Sequence, residues 1–182
     1  MTKSFDSLTE PEILALAVAL EEEDARIYDN FAAALRETHP EQAARFAKLR
    51  EEEDGHRHRL LTLYRERFGE HLPLIRRQDV KGFVNRKPIW LMRPLSLQAA
   101  CREAESMEFE TKRLYEAAAR KTTDASVRQL LGDLAEEERH HEHTAEKLGE
   151  LGGGEDEDAA KKRMFVLQII QPGLAGLMDG SV

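Results

Sequence analysis

Residues 49–58 read LREEEDGHRH, and residues 134–143 read LAEEERHHEH. Laid over one another, they put Leu49 on Leu134, Glu53 on Glu138, His56 on His141 and His58 on His143. One Glu-x-x-His in a chain so rich in both residues is explained by a solvated helix face. Two copies in register, at an offset of 85 (53 to 138), call for a different explanation. The preceding segments repeat as well. ALEEEDARIYDNFA, from Ala19, lies over SMEFETKRLYEAAA, from Ser106, with Glu21 on Glu108, Tyr28 on Tyr115 and Ala32 on Ala119 at an offset of 87 (21 to 108). The simplest account is a duplicated helical hairpin.

The spacing gives the repeat a geometric meaning. Glu-x-x-His at i and i+3 sets a carboxylate and an imidazole on one helix face, about one turn apart, so both can reach one cation. A Glu followed seven positions later by a Tyr returns to the same face after two turns, which makes Tyr28 and Tyr115 candidate hydrogen-bond donors behind the ligands. Each half thus offers one Glu, then a Glu and a His. Together Glu21, Glu53, His56, Glu108, Glu138 and His141 form the carboxylate-rich set that holds paired iron or manganese ions in helical bundles. Such carboxylates, gathered in a core of low dielectric, repel one another and take up protons unless cations keep them ionised. Glu105 lies one turn before Glu108 on nearly the same face, and whether it is an extra ligand stays open. His58, His140 and His143 fall off the ligand face and are expected at the surface. Glu22, Glu23, Glu51, Glu52, Glu136 and Glu137 read as solvent-facing charge that attracts cations.

Around these motifs the chain punctuates itself into four helices. Thr9 and Glu12 make a capping box, with Pro11 in the first turn of a helix that runs to about Arg36. Thr38 and Glu41 repeat the signature around Pro40 for a second helix, ended by Gly69. Residues 69–94 hold three prolines, two glycines and the single tryptophan, and read as a long crossover. Ser96 caps a third helix to about Lys121, and residues 122–124 cap a fourth to about Gly149. The fold class expected is all-α, a four-helix bundle with a long crossover between the second and third helices, placing the first helix parallel to the third, plus a C-terminal helical tail.

Bulk properties agree. The 182 residues are enough for one well-buried domain, and 41% apolar with 34% charged residues describes a soluble, helix-rich chain. A net charge of −8 argues against nucleic-acid binding and suits metal cations. One cysteine, Cys101, excludes a disulfide framework and a four-cysteine metal site. It reads as a small buried residue. The N-terminus lacks a secretory signal. Residues 151–163 form a hinge at the glycines of 152–154 and a basic linker ending in Lys161, Lys162 and Arg163. The mostly apolar stretch 164–178 that follows is, at about 15 residues, shorter than a full membrane span. Its basic flank predicts a cytoplasmic N-terminal side.

On the motifs EEEDARIY, EEEDGH, EAESMEFETKRLY and EEERHH, residues 9–150 resemble the ferritin-like superfamily, and within it the rubrerythrin branch. The resemblance implies a di-iron centre with Glu21, Glu53, His56, Glu105, Glu108, Glu138 and His141 as ligands, and manganese or zinc as substitutes. The lone cysteine departs from rubrerythrins that carry a rubredoxin-like domain with paired Cys-x-x-Cys motifs. The closing words QPGLAGLMDGSV resemble the start of the vacuolar-iron-transporter membrane domain. Fusion of the two is the pattern of membrane-bound ferritin-type iron exporters. Residues 1–150 are then the di-iron bundle, 151–163 the linker, and 164–182 the start of a truncated transmembrane transporter domain. By this resemblance the chain binds and oxidises Fe(II), with dioxygen or hydrogen peroxide as oxidant, on the cytoplasmic side of the inner membrane, and serves the exporter. The exposed tail predicts a homodimer. Two rivals remain: a rubrerythrin-type peroxide reductase with an external electron donor, and a non-catalytic dimerisation module.

Overall fold

A computed structural model describes residues 2–83 and 95–165, with side chains described up to residue 149. Four helices make up the fold: α1 (Glu10–Leu35), α2 (Pro40–Phe68), α3 (Leu97–Lys121) and α4 (Ala125–Phe165). The caps set three of the four starts. Thr9 accepts from the Glu12 N–H while Glu12 accepts from the Thr9 N–H at 2.9 Å, the reciprocal box read from the sequence. Ser96 accepts from the Ala99 N–H at 3.2 Å, and Asp124 accepts from the Ser126 and Val127 N–H groups at 2.8 and 3.1 Å.

The start of α2 differs from expectation: His39 precedes the helix and no side chain caps it. The turn is too short for Thr38 to serve there, since the Thr38 and His39 N–H groups both bond the Leu35 carbonyl and close α1. Pro40 in the first turn removes one N–H that would otherwise need a partner. At the other end of α2, Gly69 takes φ 83°, and its N–H bonds the Arg65 carbonyl. That left-handed backbone favours glycine.

The pairing of α1 with α3 corrects the expected orientation. Tyr28 meets Glu108, Asp24 meets Thr111 and Glu21 meets Tyr115, so one helix descends as the other rises. The two are antiparallel, so α3 starts at the end of the bundle where α2 starts and runs parallel to it. The crossover is fastened on the way: a parallel bridge joins Lys3 to Val80, and Arg77 pairs with Glu23 of α1 at 3.2 Å and Glu110 of α3 at 3.5 Å. Ile75 and Val80 cover α1, which explains why Ile13 to Val18 are buried on every face.

Two apolar clusters fill the bundle. One gathers the start of α1, the end of α2, the end of α3 and the start of α4, including Leu14, Leu60, Tyr115 and Leu131. The second gathers the opposite halves, including Phe31, Phe46, Met107 and Leu148. Between them lies a polar layer. The helical backbone of α4 continues through residues 152–154, where the glycines predict a hinge. The expected transporter segment, 164–182, lies outside the described residues apart from its first two positions in α4, and among the described residues no helix is long and apolar enough to cross a membrane.

Candidate metal centre

Each helix sends its middle turn into the polar layer. Glu21 and Asp24 come from α1, Glu53 and His56 from α2, Glu108 and Thr111 from α3, and Glu138 and His141 from α4. All eight are buried, and Glu21 and Glu138 are 0% exposed. Thus the i, i+3 pairs point inward from facing helices, as the duplicated spacing predicts.

Four of these residues converge. Glu53, His56, Glu138 and His141 each offer a ligand atom, and those atoms lie within 4.8 Å of one another. The imidazoles stack with centroids 5.3 Å apart and planes 8° from parallel. His56 Nδ1 stands 3.0 Å from Glu138, 3.4 Å from Glu21 and 3.5 Å from Glu53. His141 Nδ1 stands 3.0 Å from Glu53, 3.3 Å from Glu138 and 3.7 Å from Glu108. Glu53 and Glu138 therefore neighbour both imidazoles, whereas Glu21 belongs to the His56 side and Glu108 to the His141 side.

Behind the carboxylates the tyrosines cross between helices. Tyr28 of α1 donates to Glu108 of α3, and Tyr115 of α3 donates to Glu21 of α1. Thr111 donates to Asp24 at 3.1 Å, beside both bonds. Asp24 and Thr111 occupy equivalent positions of the repeat, at the same offset as Glu21 and Glu108, and that register was the available signal for them.

The charge state without cations follows from the crowding. Burial, then the charges of Glu53 and Glu138, push Glu21 well above the usual carboxylate range. Burial, then the charges of Glu138 and Glu53, do the same to Glu108. Burial also works to raise Glu53, but the close approach of Glu21, His141 and His56 outweighs it and holds that carboxyl low. Glu138 is likewise lowered: burial and the Glu53 charge oppose, and the close approach of Glu108, His141 and His56 prevails. Burial disfavours the His56 imidazolium, yet its bonds to Glu138 and Glu53 raise it to about 10. His141 rises further against the same burial, through Glu108, Glu138 and Glu53. The cation-free centre is neutralised by protons.

The protons do not satisfy the whole layer. Glu21 Oε2, Glu53 Oε1, Glu138 Oε2 and His141 Nδ1 are buried without a hydrogen-bond partner. Glu53 Oε1 and His141 Nδ1 are 3.0 Å apart, but out of line for a hydrogen bond. Buried polar atoms of native proteins are rarely left so. Four of them in one layer, all ligand types for iron, manganese or zinc, fit a metal centre.

Other residues fall elsewhere. Glu105 is half-buried and lines a cleft between α3 and α4 with Glu136, Arg139, His140, Glu142, His143 and Glu146. His58, His140 and His143 are exposed, as expected. Two of the glutamates read as solvent-facing also touch the ligand imidazoles while staying half-exposed: Glu137 meets His56 Nε2 at 3.0 Å, and Glu52 meets His141 Nε2 at 3.1 Å. Their in-register repetition was visible, but their direction across to the opposite helix was not.

The rubrerythrin family model matches residues 12–149. The crystal structure of an uncharacterized conserved protein from Magnetospirillum magnetotacticum MS-1 is similar at 26% identity and TM-score 0.64, covering 79% of this chain and 95% of the other. A hypothetical protein from Pyrococcus furiosus is similar at 21% identity and TM-score 0.63, covering 81% and 92%, a likeness of fold alone. No curated protein sequence matches. With the family match spanning most of the chain and enclosing every residue of the polar layer, this chain belongs to the rubrerythrin family.

Proposed function

We propose that the polar layer binds a pair of ferrous ions through Glu21, Glu53, His56, Glu108, Glu138 and His141. The bundle then oxidises them with dioxygen or hydrogen peroxide and supplies or regulates iron for an attached membrane exporter, on the cytoplasmic side of the inner membrane. The observation that carries this reading is the set of unpartnered buried ligand atoms in one layer. In it Glu53 and Glu138 serve both positions, Glu21 and His56 one, and Glu108 and His141 the other, following the distances between them. A ferrous pair supplies two electrons to a small oxidant.

The chain's own groups do the rest. Tyr28 and Tyr115 hold Glu108 and Glu21 in place by donating to one carboxylate oxygen and leaving the other toward the centre. The apolar clusters on both sides keep bulk water from the layer and strengthen its electrostatics. The exporter part of the reading is supported by the sequence of residues 161–182, whose apolar stretch also supports a homodimer.

Anaerobic Fe(II) titration followed by air tests the centre. We expect saturation near about two irons per chain and a near-ultraviolet ferric absorbance. Both should be lost in Glu53→Ala; absence of specific binding in the wild type would leave only a helical scaffold. For the export role, Glu53→Ala and Glu138→Ala in the membrane-attached protein should change iron efflux. Unchanged efflux would end that part of the reading.

A further inference from the structure

The two imidazoles turn their outer edges to one place. His56 and His141 form the floor of a cleft of about 730 Å³ between α2 and α4, with Lys48, Glu52, Glu137 and Thr144 among its walls. There each Nε2 meets a carboxylate of the opposite helix, Glu137 for His56 and Glu52 for His141. A carboxylate on Nε2 fixes the proton there and leaves Nδ1 facing the centre.

The repeat breaks at the supports of these carboxylates. Arg59 grips Glu137 through two hydrogen bonds, at 2.9 and 2.7 Å. The equivalent position in the second half is Thr144, which offers no such fork. Glu52 instead has one contact from Lys48 at 3.4 Å, and that lysine side chain is 76% exposed. An arginine fork fixes a carboxylate in plane, whereas an exposed lysine acts as a point charge on a flexible stem. The inner edges differ in the same sense. His56 Nδ1 is bonded to Glu138 at 3.0 Å, while the buried His141 Nδ1 has no hydrogen-bond partner.

We propose that Arg59 makes the two cation positions unequal: it locks Glu137 on His56, while Glu52 swings off His141 to take a divalent cation from the cleft and pass it inward. The inference rests on the reading that the layer binds a pair of cations. Glu52 fits the transfer because it is half-exposed, charged and one residue before the shared ligand Glu53. Rim carboxylates also raise the local cation concentration and the rate of arrival. Arg59 is a positioning residue, acting on the metal side only through Glu137 and His56.

The test is an anaerobic Co(II) titration of the full chain, followed by its visible bands at equilibrium and by stopped flow. The wild type should bind two cobalt ions in two resolved steps. In Arg59→Gln the tighter step should weaken by about 10- to 100-fold, the range for a lost outer partner, and merge with the second. Arg59→Lys keeps the charge without the fork and should behave as Arg59→Gln does. Glu52→Gln should keep both ions but slow their uptake by about tenfold or more. Wild-type behaviour in Arg59→Lys, or unchanged uptake in Glu52→Gln, with two cobalt ions bound, overturns the proposal and leaves the paired site standing. Failure of the wild type to bind two ions overturns the underlying reading as well.

Discussion

The middle turn of the bundle and its two ends are built from the same four helices, yet they obey opposite rules. At one end Phe46 stacks on Tyr28 at 5.9 Å and meets Phe31 edge-on at 5.4 Å, all three fully buried. In the middle, five carboxylates and two imidazoles are buried as well. Each ion there loses several kcal/mol of hydration, only partly returned by its partners. Apolar ends of the kind that gain about 25 cal/mol per Å² buried must hold the layer together. The difference teaches that fold and chemistry are stacked along the bundle axis and can be perturbed separately.

Breaking an end gives the largest effect. Phe46→Ala removes a ring packed on two others and should cost about 3–5 kcal/mol of stability in metal-free denaturant unfolding. Iron stoichiometry of the fraction that stays folded should be unchanged. A cost under about 1 kcal/mol would mean that the ends do not carry the fold.

Filling the middle comes next. Free Fe(II) at a thousand times its dissociation constant should stabilise the chain by about 4 kcal/mol for each of the two positions filled, reversed by a chelator. Glu21→Gln sharpens the contrast. Burial and its neighbours keep a proton on Glu21 to higher pH than usual, so the neutral amide should change cation-free stability little. The same variant should lose most of the metal-dependent gain, measured as the shift in thermal midpoint with and without Fe(II).

How much of this contrast was legible in sequence depends on how local the cause is. The caps at Thr9, Ser96 and Asp124 act within three residues and were read correctly. The inward faces follow from helix period and from the repeat, so the convergence of Glu53, His56, Glu138 and His141 is legible in the sequence. The antiparallel pairing of α1 and α3 is not, because it depends on the path of the crossover. Thr38 was misjudged as a cap since the closure of α1 uses the same turn. Glu52 and Glu137 were missed for a similar reason: period tells which face a residue occupies, not which neighbour crosses to meet it.

Protonation separates the layers by pH. His56 holds its proton up to about 10 without metal, and the proton on Glu21 or Glu108 is also retained above its ordinary range. A cation needs both groups deprotonated, so binding should weaken as pH falls and strengthen as pH rises toward 10. With two protons displaced per cation, affinity should change by about 100-fold per pH unit while both groups stay protonated without metal. Calorimetry of Fe(II) or Co(II) binding in buffers of different ionisation heat counts those protons. Binding without proton release would mean that the middle is not proton-filled.

The smallest expected effect is at Glu105, which marks where the middle layer stops. It sits one turn from Glu108, but it is half-buried and faces the α3–α4 cleft, where Arg139 stands among the glutamates and histidines. Water remains available to it there, on the same cleft as Arg139. It reaches neither imidazole of the centre, whereas Glu21 and Glu108 do, at 3.4 and 3.7 Å. Glu105→Ala should therefore retain about two irons per chain, with stability changed by under about 0.5 kcal/mol as for an ordinary surface change. Loss of one iron in this variant would draw the boundary of the centre one turn further along α3 and bring its ligand set to seven residues.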